Sequence, residues 1–135
     1  MNAVTERILV CVFIGMFVSG CAGAFYGQVR NSNRVAITKL SPGMSKAKVM
    51  KIMGDGPNIT SVTLGDTISN PYSSAAYRVG DRVYEILYYY TDIKKRDGGI
   101  TDDELTPVVL LNGKVDGWGW AYWNDIIDRY EIRLR

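Results

Sequence analysis

The chain has 135 residues, enough for one small domain and too few for two independent cores. A hydrophobic content of 47% and a charged content of 22% exclude wholesale disorder. The formal charge of +2 does not argue for nucleic acid, and the absence of histidine removes the commonest general base and metal ligand.

Residues 1–20 open with Glu6 and Arg7, then run without charge from Ile8 to Val18. As a helix that run would cover roughly half of a 30 Å hydrocarbon core, too short for a comfortable span. Length, charge and the small residues at its end describe a signal peptide over 1–20. Its tail, Val18-Ser19-Gly20-Cys21, resembles the lipobox of bacterial lipoproteins: an aliphatic residue, two small residues and an obligatory cysteine. The resemblance implies a diacylglyceryl group on the Cys21 sulfur and cleavage that leaves Cys21 as the first mature residue. Small side chains at Ser19 and Gly20 suit a peptidase that must admit extended backbone beside a modified sulfur. The only other cysteine, Cys11, lies in the segment removed, so neither a disulfide nor a thiolate metal site is expected. At least two acyl chains on Cys21 would hold the protein at a membrane. Ala22, rather than aspartate, follows Cys21. By analogy with enteric lipoproteins, that points to the periplasmic side of the outer membrane.

After the lipid site, AGAFYGQVRNSN is small and polar with little period, so residues 21–33 read as an acylated tether. Arg34 to Leu40 predicts about two turns of helix, broken at Pro42-Gly43. Ser45 caps a second short helix in which Val49, Ile52 and Met53 share one side, and Gly54 stops it. Lys46 and Lys48 in its first turn oppose the helix dipole. Residues 55–82 read as a long connection with a partial strand from Ile59 to Leu64.

The second half is rich in strand formers. Arg82 to Thr91 (RVYEILYYYT) and Thr106 to Leu111 (TPVVLL) are strands, Asn112-Gly113 is a type I′ hairpin turn, and Lys114 to Trp123 returns. A tight turn pairs Leu111 with Lys114, Leu110 with Val115, Val109 with Asp116 and Val108 with Gly117. One face then holds Val108, Leu110, Val115, Gly117 and Gly119 and reads as buried, its glycines letting a helix approach. The other holds Val109, Leu111, Lys114, Asp116, Trp118, Trp120 and Tyr122. Trp118, Trp120 and Tyr122 on that face make a candidate partner surface. The competing reading is a bulge near Gly117 or Gly119, or a cover from residues 124–135. In that extension Ile126, Ile127, Tyr130 and Leu134 fall near the spacing of a short C-terminal helix.

Leu40-Ser41-Pro42-Gly43-Met44-Ser45, followed by Val49, Met53-Gly54 and Pro57, resembles the opening of the SmpA/OmlA (BamE-like) outer-membrane lipoproteins. The order of strands after residue 83 is also similar. Asp102 to Pro107, Asn112-Gly113-Lys114 and Gly117-Trp118-Gly119 look closest to functionally uncharacterised lipoproteins of that fold. The resemblance covers about residues 34–122. It departs from the family in the extra residue at Asp55-Gly56, the long 58–82 connection and a shorter tether. It implies an α+β domain over 34–123, with two short helices packed on a three-stranded antiparallel sheet. It also implies an accessory or scaffold role at the outer membrane with an envelope protein partner, the family's namesake being a small lipoprotein subunit of the β-barrel assembly machinery. The alternative is a periplasmic regulator or inhibitor of a soluble enzyme or cell-wall component.

Nothing in the residues spells out catalysis. Asp102-Asp103-Glu104 lacks the spaced oxygens of an EF-hand and reads as a solvated acidic turn. Ser73-Ser74 has no histidine to activate it, Ser45-Lys46 reads as a helix cap, and the glycines form no phosphate loop. The expectation is a binding protein that is no enzyme and needs no cofactor or metal.

Overall fold

The computed structural model describes residues 21–59, 67–95, 97 and 99–133. Val18, Ser19 and Gly20, and all but the first residue of the strand expected from Ile59 to Leu64, lie outside them. Among the described residues the fold is α+β, with three α-helices and a four-stranded antiparallel sheet between two helical layers.

Helix α1 spans Cys21–Ile37, so residues 21–33, read as a tether, are helical and the helix begins well before Arg34. The helix forms because Val29, Asn33 and Ala36 recur on one strip and are all buried. Only one of the three is strongly apolar, so the sequence shows little hydrophobic period there. Helix α2, Lys46–Met53, matches its expected caps. Ser45 Oγ accepts from the Lys48 N–H at 3.4 Å, and Gly54 takes φ +91° while its N–H donates to Met50 O.

A hairpin of β1 (Gly56–Ile59) and β2 (Thr67–Asn70) follows. The main sheet is a meander of β3 (Ser73–Val79), β4 (Arg82–Tyr90), β5 (Leu105–Leu111) and β6 (Lys114–Trp118). It therefore has four strands where three were expected. The additional β3 lies within the stretch read as connection. Its sequence, SSAAYRV, is only weakly apolar because it is an edge strand with partly exposed faces. Gly80-Asp81 is a two-residue loop between Val79 and Arg82, with Gly80 at φ +58°.

Strands β4 and β5 are buried on both faces. On one side Ala36, Leu40, Val49 and Met53, from α1, the turn after it and α2, pack on Leu87, Tyr89, Val108, Leu110 and Val115. On the other, helix α3 (Trp120–Tyr130) lays Trp123 and Ile126 on Tyr84, Ile86 and Val109. A third cluster at the sheet's end joins Val29, Ile68, Tyr90 and Leu105. The Pro-Gly-Met-Ser segment closes the outer edge of β6. Gly43 N–H donates to Val115 O at 2.7 Å, Val115 N–H to Met44 O at 2.8 Å, and Lys46 N–H to Gly113 O at 3.0 Å.

The Asn112-Gly113 turn has both residues at positive φ, +50° and +79°. Leu111 pairs with Lys114 and Leu110 with Val115, as the tight turn requires. Past that point the register shifts, and Val109 pairs with Gly117 and Val108 with Trp118. Asp116 is the extra residue of a bulge. The bulge moves Gly117 to the α3 face, where the ring of Tyr122 occupies the space a side chain would fill. A Cβ on Gly117 would lie 2.6 Å from Tyr122 Cε1. Gly117→Ala is therefore expected to lower unfolding stability by about 1–3 kcal/mol, measured by chemical denaturation.

Candidate functional site

An open groove of about 430 Å³ lies where α1, the end of β4, the start of β5 and the start of α3 converge. Thr91, Leu105 and Thr106 line its strand side, and the two threonine hydroxyls are 2.6 Å apart. Arg34 and Ile37 line it from α1, and Trp120 from α3. Asp92 and Asp103 complete the lining. Trp120 is fixed by its Nε1–H, which donates to Leu105 O at 2.7 Å, and by its ring tilted against Tyr88 at 5.8 Å.

The acidic stretch at the rim is not uniformly solvated. Asp102 and Asp103 are exposed, but Glu104 is only 1% exposed and closes a 3₁₀ turn, Asp102–Glu104. Its Oε1 accepts from the backbone N–H groups of Lys94 at 2.5 Å and Lys95 at 3.2 Å, and its Oε2 from that of Thr101 at 3.2 Å. Its backbone oxygen accepts from Thr91 and Asp92, each at 3.0 Å. Glu104 thus draws both ends of the 92–101 loop to the sheet, and backbone donors satisfy a carboxylate that water does not reach. The Thr-x-x-Glu spacing of Thr101 and Glu104, which lets the glutamate reach back to the Thr101 N–H, was the signal available in the sequence.

Other groups around the groove are likewise engaged. Asp92 accepts from Lys94 Nζ at 2.6 Å and from the Ile93 N–H at 2.8 Å, and these bonds hold its carboxyl below the usual carboxylate range. Asp103 accepts from Thr101 Oγ1 at 2.5 Å. Near the third cluster, Asn33 and Asn70 are buried and bond to each other in both directions, at 3.1 and 2.8 Å. Asn33 also donates to Tyr90 O at 2.9 Å and Asn70 to Met53 O at 2.8 Å, so both amide groups are fully used as donors. This pair joins α1, α2, β2 and β4, and the sequence offers no sign of it beyond two asparagines 37 residues apart. Burial pushes the hydroxyls of Tyr88, Tyr89 and Tyr90 to higher pKa, so they stay protonated near neutrality. Among the described residues no group of three acids or cysteines is placed to hold a metal ion.

The lipid-site residue Cys21 is the first residue of α1. The three aromatic residues expected to form one exposed row do not share a face. Because of the bulge at Asp116, Trp118 packs against the core beneath α1 and α2. Trp120 and Tyr122 belong to α3 and pack on the opposite side, where Tyr122 donates to Asp116 Oδ2 at 2.6 Å. All three are partly buried. Helix α3 starts four residues ahead of the extension read from Asn124, which converts the return strand into the cover of the sheet.

The fold and groove define a small three-layer α+β domain with an open, mixed-charge depression at one end of its sheet. Residues 19–125 match the model of a family described as a protein of unknown function, DUF3192, and the chain belongs to that family. No curated protein and no solved structure matches the chain. Replacing Glu104 with Gln puts an amide NH₂ against backbone donors. It is expected to destabilise the domain by about 1–3 kcal/mol and to speed amide exchange at Lys94, Lys95 and Thr101, read by NMR.

Proposed function

We propose that this chain is a lipid-anchored lipoprotein of the outer membrane, facing the periplasm and acting by binding a protein partner. The observation that carries the reading is Val18-Ser19-Gly20-Cys21 at the end of an uncharged run of eleven residues. Two helices on one face of an antiparallel sheet, joined by the Leu40–Ser45 segment, support a BamE-like arrangement, with β3 and α3 as additions. That kinship favours an accessory or scaffold role, with the β-barrel assembly machinery as the partner. The groove lined by Arg34, Asp92, Asp103 and Trp120 is the contact surface of this reading, since it combines both charges with an apolar wall. Its acids hold the neighbouring loop through hydrogen bonds, a structural employment that suits recognition better than proton transfer.

Protein purified from its native membrane is expected to exceed the mass of its peptide by the acyl groups on Cys21. Cys21→Ser should abolish the increment. An unchanged mass would sink the anchoring claim. Photocrosslinkers at positions 103 and 120 in intact cells should yield adducts with a β-barrel assembly subunit. Adducts with soluble proteins only would favour the periplasmic regulator instead.

A further inference from the structure

From Cys21 to Gly54 the chain carries six basic residues, Arg30, Arg34, Lys39, Lys46, Lys48 and Lys51, and no acid. From Asp55 onward it carries nine basic residues against thirteen acidic ones. The basic residues look scattered along the chain, but the fold makes the segregation spatial. Residues 21–54 are the α1–α2 layer on one face of the sheet, while α3, with Asp125 and Asp128, covers the other. All six except the half-buried Arg30 are exposed. Lys46 is paired with Glu85, and Arg34 lies within the field of Asp92 across the groove. Among the described residues, Lys39, Lys48 and Lys51 have no ion pair. Val35, beside Arg34, is 58% exposed, so the same layer presents a large apolar side chain to its surroundings.

We infer that the α1–α2 layer is a docking surface for anionic phospholipid headgroups. Charge complementarity selects an anionic partner, and the position of Cys21 selects a lipid one. This second step rests on the acylation reading. The acyl site is the first residue of α1, so no flexible linker separates the anchor from the basic layer. A helix of that length extends about 25 Å. With its first residue held at the bilayer and α1 lying along the surface, the helical layer faces the headgroups in the proposed attachment. One anchor and one basic surface then form a two-part membrane attachment, with an orientation that leaves α3 facing away.

The test uses the mature chain, residues 21–135, carrying Cys21→Ser, which removes acylation together with the apolar 8–18 run and leaves surface charge as the variable. Vesicles of phosphatidylcholine are compared with vesicles containing about a third phosphatidylglycerol, at low ionic strength. Each engaged cation strengthens attachment to an anionic surface by about fivefold, so co-sedimentation should favour the anionic vesicles by at least about tenfold. The combined Lys39→Glu, Lys48→Glu, Lys51→Glu variant should lose that preference, and Arg129→Glu on α3 should keep it. Circular dichroism of each variant confirms that these exposed changes leave the fold intact. Equal sedimentation with both compositions, or a preference that survives the triple change, overturns the inference. So does binding to polyglutamate without any response to phosphatidylglycerol, which assigns the layer to an acidic protein. A preference found in a protein whose native form proves unacylated leaves the basic surface standing and removes only the anchor.

Discussion

Strands β4 and β5 have apolar side chains on both of their faces, and the rest of the structure answers that constraint. Tyr84, Ile86 and Val109 point one way and Leu87, Tyr89, Val108 and Leu110 the other, all essentially excluded from water. A sheet with only one covered face would expose one of these sets, at roughly 25 cal/mol for every Å² uncovered. The α1–α2 pair and α3 are therefore each necessary. The end of β6 must also bend so that the chain can cross to the uncovered side. The bulge at Asp116 provides that bend, and Gly117 provides the room for Tyr122 to settle on the sheet.

Apolar packing does not specify how the ends of the elements meet, and two buried polar devices do. The Asn33–Asn70 pair fixes α1 against β2, the last carbonyl of α2 and the last carbonyl of β4. Glu104 fixes the 92–101 loop through backbone donors. Buried polar groups stabilise little when satisfied and cost much when orphaned, so they penalise alternative arrangements more than they reward the native one. Each device adjoins residues that line the groove, Asn33 beside Arg34 and Glu104 between Asp103 and Leu105.

On the proposed reading, membrane attachment and partner contact would use different parts of the same small domain. The groove lies at one end of the sheet, with Trp120 of α3 on one wall and Arg34 of α1 on the other. Lys39, Lys48 and Lys51, without an ion pair among the described residues, lie on the turn after α1 and on α2. A domain held by α1 and oriented by these lysines would present the far side of the sheet, including α3, to the periplasm.

Several features were legible from local residues alone: the cap at Ser45, the stop at Gly54, the Asn112-Gly113 turn, strand β4 and the first two pairs of the β5–β6 register. Caps, tight turns and runs of β-branched or aromatic residues act over a few residues, so their physics is complete within the stretch that carries them. Helix α1 was legible only in its last turn from Arg34, because its buried strip uses an asparagine and an alanine whose partners lie elsewhere in the chain. Edge strand β3 was missed for want of a strong apolar pattern, although Gly80-Asp81 marks its turn. The burial of Glu104, the crossing of Trp120 and Tyr122 to α3, and the gathering of six cations on one layer were decided by tertiary structure. Each depends on which face of the sheet is already covered, and that is a relation between distant segments rather than a property of any one.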